Sequence, residues 1–431
     1  MKRTNEIIKN FFKINENNLL IGGLPVSEIV QQFPTPLYVY DFDILKHNYL
    51  RLRKRLTPEI KIFFSIKANP AFDICRKFSE LKTGAEIASI GELKLALNSG
   101  FSPDNIIFAG PGKRPEELAA AVEKNILSIN AESIEEIKCI DDLSKQYAKP
   151  VSVSIRINPK INVSGSHLQM GGGSSPFGID EENLFEAIEI LIKNKRLNFK
   201  GIHVYVGNQI FDYKLAIKNI KNILNIARGA SKYIQASLPL VNFGGGFGIP
   251  YYKNEPFLDE KNFTKEINVI FKKATTESFF KKTTFIFELG RYLTAACGVF
   301  LTKILYIKES RGKRFAVVDG GMNYNSIATG NLGQKMKRKF LMCQPTRMID
   351  IKTEEYDIVG PLCTPMDHFG RNYECSILKP GDIIAAMFVG AYGLTASPVL
   401  FLSHPCCLEV SIENNKIKKF IAKEGYRNAS I

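Results

Sequence analysis

A lysine stands at the end of an apolar run, Lys61-Ile-Phe-Phe-Ser-Ile-Lys67, and Ala68-Asn69-Pro70 turns the chain directly after it. An amine at the end of a buried strand can be desolvated, which lowers its pKa and readies it to form a Schiff base. Alone the signal is weak, because a chain this rich in lysine has many solvated lysines at strand ends. Other residues give it company. Gly244-Gly-Gly-Phe-Gly248 lets backbone N–H groups approach an anion, although the same run also makes a plain tight turn. It carries neither the G-x-G-x-x-G spacing of a dinucleotide site nor the G-K-[S/T] of a P-loop. Glu288 offers a carboxylate and Arg291 a two-pronged grip on phosphate. Cys363, judged by chemistry alone, is an inert buried thiol.

Stepping along the chain, eight short apolar runs rich in Ile, Val and Phe predict strands over Ile62–Ala68, Ala85–Ser89, Asn105–Gly110, Leu127–Ala131, Val151–Asn158, Gly201–Gly207, Leu240–Gly244 and Thr284–Glu288. Continuous apolarity means burial on both faces, hence a parallel sheet. Helix-forming stretches such as Gly91–Leu97 and Pro115–Val122 alternate with them. The pattern fits a TIM-like (β/α)8 barrel, with a doubly wound sheet as the alternative. After Arg291 long helices give way to strand-like runs at Val299–Tyr306, Arg314–Asp319, Glu355–Val359, Asp382–Val389 and Leu408–Ile412. The expected organisation is an α/β barrel over 36–292 and a C-terminal all-β domain over 293–431, completed by the N-terminal segment 1–35. The basic stretch Asn331–Arg347 reads as a loop or short helix.

In such a barrel the chemistry sits at the C-terminal ends of the strands. Polar residues and glycines recur there in order: Lys67; Glu86 and Ser89; Gly110-Pro-Gly112; Glu132; Arg156; His203, Tyr205, Gly207 and Asn208; the glycine loop; Glu288 and Arg291. A lysine, a glycine cradle, an arginine and a carboxylate together suggest pyridoxal 5'-phosphate (PLP). Lys67 would carry it, and Glu288 would keep the pyridine nitrogen protonated so that the ring accepts electrons from a substrate carbanion.

Motifs spread over nearly the whole chain carry a resemblance. They include Thr35-Pro-Leu-Tyr-Val-Tyr-Asp41, Lys67-Ala-Asn69, Glu86-Ile-Ala-Ser89-Ile-Gly-Glu92, His203–Gln209, Gly244–Gly248, Glu288-x-Gly-Arg291, Val318-Asp-Gly-Gly-Met322, Gly360-x-x-Cys363 and Gly390-Ala-Tyr392-Gly393. The chain resembles the fold-type III PLP-dependent decarboxylases, the diaminopimelate/ornithine decarboxylase superfamily. The resemblance implies PLP anchored on Lys67 and the ring nitrogen paired with Glu288. It implies phosphate contacts from Gly245, Gly246, Arg291 and Tyr392. It places Glu86, Arg156, His203, Tyr205 and Asn208 around the cofactor. It also implies a homodimer in which Cys363 is the catalytic cysteine given to the partner's site, with Thr364, Asp367, Arg291 and His404 on the substrate side. No metal is implied.

The departures are informative. The family's H-x-H-x-G-S is here His203-Val-Tyr205-Val-Gly-Asn208, which keeps an aromatic face and a hydrogen-bond donor but drops a titratable ring. Diaminopimelate decarboxylases carry Cys-Glu-Ser at the cysteine, and this chain carries Cys363-Thr-Pro-Met-Asp367. Their Arg-Pro-x-x-Tyr segment is replaced by Asn323-Tyr-Asn-Ser-Ile327. With Met170-Gly-Gly172 and Phe401-Leu-Ser-His-Pro405, the run resembles a secondary-metabolism branch that includes butirosin-type glutamyl-[acyl-carrier-protein] decarboxylases, and less fully the siderophore decarboxylases of citryl-diaminopropionate type. The expected reaction is α-decarboxylation of a conjugated or carrier-tethered amino acid. Diaminopimelate decarboxylation, racemisation and a silent regulator on the same fold are the other readings.

Composition narrows the setting. The chain has 431 residues, is 45% hydrophobic and 23% charged, and holds eight cysteines without C-x-x-C pairs. That suits two domains in a reducing compartment. No apolar run approaches the ~20 residues of a membrane span, and the N-terminus has no signal-like apolar core, so a cytoplasmic enzyme is expected. The net charge of +15 is spread along the sequence without a nucleic-acid motif. A basic surface would suit an acidic carrier protein.

Overall fold

The computed structural model describes residues 2–160, 168–169, 173–330, 340–349 and 352–420. The Met170–Gly172 motif and residues 331–339 of the basic stretch lie outside the described residues. The chain divides into two compact units, one of residues 50–248 and 257–292, the other of residues 1–49, 249–256 and 293–431.

In the first unit all eight expected strands form: β1 (Ile60–Ser65), β2 (Gly84–Ile87), β3 (Ile106–Phe108), β4 (Ser128–Ala131), β5 (Val151–Asn158), β6 (Leu197–Val204), β7 (Leu240–Asn242) and β8 (Thr284–Leu289). Each pairs in parallel with the next, and β8 pairs with β1 through Glu288 opposite Phe63, so the barrel is closed. Phe63, Ile107, Leu240 and Ile286 pack together, all buried. Strand β6 starts earlier than its apolar run suggests, because Asn198 and Lys200 alternate there with Leu197 and Phe199. Strand β1 ends earlier: Ile66–Ala68 is a 3-10 turn, so Lys67 sits in a turn beyond the strand.

The helices after β2 and β4 start on the same local device. Ser89 accepts a hydrogen bond from Glu92 N at 3.2 Å, and Ser133 accepts one from Glu136 N at 3.1 Å. Each glutamate reaches back to a backbone N–H before the cap, Glu92 to Ala88 at 2.7 Å and Glu136 to Glu132 at 2.9 Å. These are capping boxes extended by one residue, and they fix where each helix leaves its strand.

The second unit corrects the expected boundary at residue 36. Leu37–Asp41 is a fully buried strand that pairs antiparallel with Gly298–Ser310 and parallel with Leu408–Glu413. It sits inside a mixed sheet ordered His368–Ser376, Thr353–Val359, Lys313–Val318, Gly298–Ser310, Leu37–Asp41, Leu408–Glu413, Lys416–Phe420. A strand buried along its whole length needs neighbours on both edges and both faces, and the strands Gly298–Ser310 and Leu408–Glu413 supply its edges. His368–Ser376 escaped the sequence reading because polar His368, Arg371, Asn372 and Glu374 mask its alternation.

Gly201 makes the step between β5 and β7 possible. Its φ is +143°, the register shifts beside it, and a Cβ there would lie 1.9 Å from Leu240 O. Gly201→Ala should therefore cost about 1–3 kcal/mol or more, read as a lowered urea midpoint at unchanged m-value.

Candidate active site

Strand β8 brings Glu288 to the barrel's C-terminal end, 5% exposed. Its Oε1 accepts from Asn242 Nδ2 at 2.6 Å, and its Oε2 lies 3.2 Å from His203 Nε2. The other ring nitrogen of His203 is 3.2 Å from Asn130 Nδ2. Burial pushes the Glu288 pKa up, but the attraction and hydrogen bonding of His203 outweigh it, helped by Lys67 and Asn242. The carboxyl is held well below the usual carboxylate range and is ionised at neutral pH.

Lys67 faces a second carboxylate. Its Nζ is 2.7 Å from Glu86 Oε1 at the end of β2. The Lys67 side chain is 45% exposed, so the expected desolvated amine is not what the fold provides; the turn Ile66–Ala68 lifts it out of the wall. Glu86 is the buried partner, 1% exposed, and its Oε2 has no hydrogen-bond partner among the described residues. Glu92 completes the group. Burial, then the neighbouring Glu86, raises its pKa to about 7 against the pull of Ala88 N and Lys67.

The glycine loop joins this cluster through β7. Asn242 Oδ1 accepts from Gly244 N at 2.9 Å, and Glu288 N donates to Gly244 O at 2.8 Å. Gly246 has φ +98°, and a Cβ on it would lie 2.0 Å from Gly207 O. A Cβ on Gly245 would lie 2.0 Å from Glu288 O. Only glycine fits, and the amides of Gly245 and Gly246 donate to no group among the described residues. Two successive open N–H groups in a tight turn make an anion nest. Tyr205 packs on the loop, its Cδ2 2.7 Å from where a Gly244 Cβ would be. Asn208 lies in the short strand Gly207–Asn208 beside it. Arg291 opens the turn after Glu288, and Gly290 there packs against Ala68, next to Lys67.

Arg156, expected near the cofactor, is engaged with the rim. Its Nη1 donates to Glu132 Oε1 at 2.7 Å, and its guanidinium lies 4.9 Å over Phe177. Glu132 also accepts from Gly110 N at 2.6 Å and Gly178 N at 3.2 Å. It thus ties together the loops that follow β3, β4 and β5. Asn242, Asn130 and Glu92 were missing from the expected site residues, and Glu132 was placed at its strand end without a role. The available signal was polar residues inside or just after apolar strands, where burial demands a partner.

The remaining expected residues belong to the other unit. Cys363 is exposed rather than a buried thiol. Asp367 is 2% exposed and does not present its carboxylate: Oδ1 accepts from Met322 N at 2.7 Å and Oδ2 from Leu362 N at 2.9 Å. Burial raises its pKa against those hydrogen bonds and the charge of nearby His404. Thr364 serves the same turn, its carbonyl accepting from Asp367 N at 3.2 Å. Tyr392 holds φ +54° beside Gly393.

Residues 43–295 match the family described as pyridoxal-dependent decarboxylase, pyridoxal binding domain. The chain belongs to the pyridoxal-dependent decarboxylases. It is 37% identical over 407 residues to the L-glutamyl-[BtrI acyl-carrier protein] decarboxylase of Niallia circulans, covering 93% of this chain and 94% of that one. It is 32% identical over 413 residues to the diaminopimelate decarboxylase of Zymomonas mobilis, covering 94% of each. A solved diaminopimelate decarboxylase of M. jannaschii in complex with L-lysine superposes with a TM-score of 0.86 at 27% identity, over 96% of this chain and 95% of that one. The cofactor of the family is PLP, and the residues here fit it. The glycine nest takes an anion, Lys67 offers an amine, Glu288 is an ionised carboxylate for a protonated ring nitrogen, and Glu86 Oε2 is an unpartnered acceptor.

The Glu92 carboxyl gives a pH test. Its folded pKa is raised, so its contribution to stability is full below its unfolded value and is lost as pH rises toward about 7. In the cofactor-free protein Glu92→Gln should remove that loss. Urea unfolding of both proteins between pH 4 and 8 should show the difference growing by on the order of 1–3 kcal/mol across that window. A flat difference would refute it.

Proposed function

We propose that this decarboxylase acts on the α-carboxylate of an amino acid joined to a larger group, a glutamyl unit on an acyl carrier protein being the favoured case, in the cytoplasm and as part of secondary-metabolite synthesis. One observation carries the reading against a free diamino acid. On the loop Gly360–His368 the carboxylate of Asp367 is buried and saturated by backbone N–H groups, which leaves that loop no acid to read a distal ammonium. The 37% identity to a relative named for a carrier-bound glutamyl substrate supports it.

When bound, the cofactor supplies an electron-accepting ring for the charge left as CO2 departs. The protein's own groups do the rest. Lys67 Nζ would hold the cofactor's aldehyde carbon, and Glu86, 2.7 Å from that amine, would accept and return its protons. Glu288, kept ionised by His203 and Asn242, would pair with the ring nitrogen and keep it protonated. Gly245, Gly246 and Arg291 would hold the phosphate. Cys363 Sγ delivers a proton to Cα after decarboxylation. Its exposure suits a homodimer in which it serves the partner's site. Leu400, Phe401, Leu402 and Met366, all exposed in the same unit, form apolar surface that such a partner would cover.

Lys67→Ala should abolish the visible absorbance of the PLP-reconstituted protein together with turnover; an unchanged spectrum would remove Lys67 from the anchoring role. Cys363→Ala should keep the spectrum and lose about 10²–10⁴-fold in turnover, with product deuteration at Cα altered when the reaction is run in deuterated water. Release of CO2 from glutamyl-loaded BtrI carrier protein, compared with free glutamate and free diaminopimelate, tests the substrate. Efficient turnover of either free amino acid without gain on tethering would overturn the tethered reading.

A further inference from the structure

The helix Tyr213–Ile234, which follows β6, contains no acidic residue. Lys214, Lys218 and Lys221 fall three and four residues apart, so they form one stripe on its exposed face. Like charges at these spacings oppose helix formation, so the stripe is not there for local stability. The helix Glu260–Ala274, which follows β7, packs against it. There Lys261 and Lys265 are exposed, and the exposed acids beside them are Glu266 and the N-cap Asp259, which is engaged with Asn262, because Glu260 is buried against Arg51 and Arg55. None of these five lysines closes an ion pair among the described residues. Charge that looks evenly spread in sequence is thus gathered by the fold onto two neighbouring helices.

The stripe begins at the candidate site. Ile210 N donates to Gly246 O at 2.9 Å, Phe211 packs on Gly248, and the Asp212 side chain caps the helix at Lys214 N at 2.8 Å. Lys214 therefore stands four residues from a direct bond to the phosphate nest. Both helices start from the barrel end that holds the chemistry.

We propose that this face is the docking surface for an acidic carrier protein that delivers the tethered substrate. The inference rests on the tethered reading above and adds the place where the carrier binds. Charge complementarity names the occupant: unpaired lysines beside a catalytic mouth attract a small acidic protein and raise its encounter rate. The surface is poorly made for nucleic acid. Its cations are lysines, the nearby arginine Arg228 is already held two-pronged by Glu277 at 2.8 Å, the exposed apolar residue beside Lys265 is aliphatic Val269, and the exposed aromatic of the lysine helix, Tyr233, lies at its other end and already stacks on Phe185 at 4.7 Å.

The test uses the PLP-loaded holoenzyme and its Lys214→Glu/Lys218→Glu/Lys221→Glu variant. Substrates are glutamyl-loaded BtrI carrier protein and the same glutamyl group on pantetheine alone. The expected result is a rise of at least tenfold in KM for the carrier-bound substrate, a flatter salt dependence, and an unchanged kcat and KM for the pantetheine thioester. Equal KM values for the carrier-bound substrate, with wild type still preferring it over free glutamate, overturn the docking surface and leave the tethered reading intact. No wild-type preference for the carrier-bound substrate overturns both. A loss of activity on both substrates, in the charge-reversed and in the milder Lys→Gln triple variant alike at unchanged melting temperature, marks damage to the site and overturns docking. Loss of binding to a DNA duplex without a change in carrier KM assigns the face to nucleic acid instead.

Discussion

A carboxylate left 5% exposed in a barrel wall stays charged only if its neighbours offset the cost of leaving water. For Glu288 that offset comes from three other strands. Asn130 at the end of β4 meets His203 on β6, His203 meets Glu288 on β8, and Glu288 meets Asn242 on β7. Asn242 then passes the chain on to Gly244. One chain of polar contacts therefore spans the barrel's end from β4 to the anion nest. It couples the carboxylate proposed for a ring nitrogen to the loop proposed for a phosphate. Their separation is set by strand spacing in a closed sheet rather than by loop conformation, which is why the barrel must close before the site exists.

The rim outside this chain is stiffened by a related device. Glu132 accepts from two loops and from Arg156, whose far side stacks on Phe177. Glu92 and Glu136 each take a backbone N–H one residue before their helix caps. Lys113, 1% exposed at its side chain, closes on Glu136 at 2.5 Å and on the carbonyls of Gly110 and Asn130. Each of these carboxylates answers a strand end whose N–H groups would otherwise be orphaned. So much buried charge costs stability that an apolar rim would not lose. In exchange the strand ends hold fixed positions, which a site that orients a cofactor needs.

The strands and their order were legible because parallel barrel strands are apolar throughout and short, a pattern with little competition once eight recur. Lys67, Glu288, Arg291 and the glycine loop were legible because they interrupt that pattern at its ends. The solvent exposure of Lys67 was not, since it depends on Ile66–Ala68 turning before the lysine rather than after it. Asn242 was hidden by its small size within an apolar run, although it makes two contacts on which Glu288 and Gly244 depend. Leu37–Asp41 reads as a strand of either unit, and only its partners, Gly298–Ser310 and Leu408–Glu413, decide which. The resemblance places Asp367 on the substrate side. Its two oxygens instead face Gly321 and Gly360, where a Cβ would lie 2.4 and 2.2 Å from them, so the glycines exist to admit the carboxylate and the carboxylate to hold the turn.

Chemistry and selection are thus separable in this protein. The barrel end stabilises charge that develops at Cα, and that charge is the same whatever lies beyond Cβ. Substrate choice must then come from groups that touch the distal part of the substrate or the body that carries it. The two kinds of interaction differ in their response to ions. The Glu288 chain is buried and feels little screening, whereas the lysines of Tyr213–Ile234 and Glu260–Ala274 are exposed and act over a Debye length of about 8 Å at physiological salt. Added salt therefore weakens what an exposed charged surface can attract while leaving the buried Glu288 network in place. An enzyme that keeps kcat and loses apparent affinity as ionic strength rises is one whose partner is chosen on its helices and whose reaction is run at its strand ends.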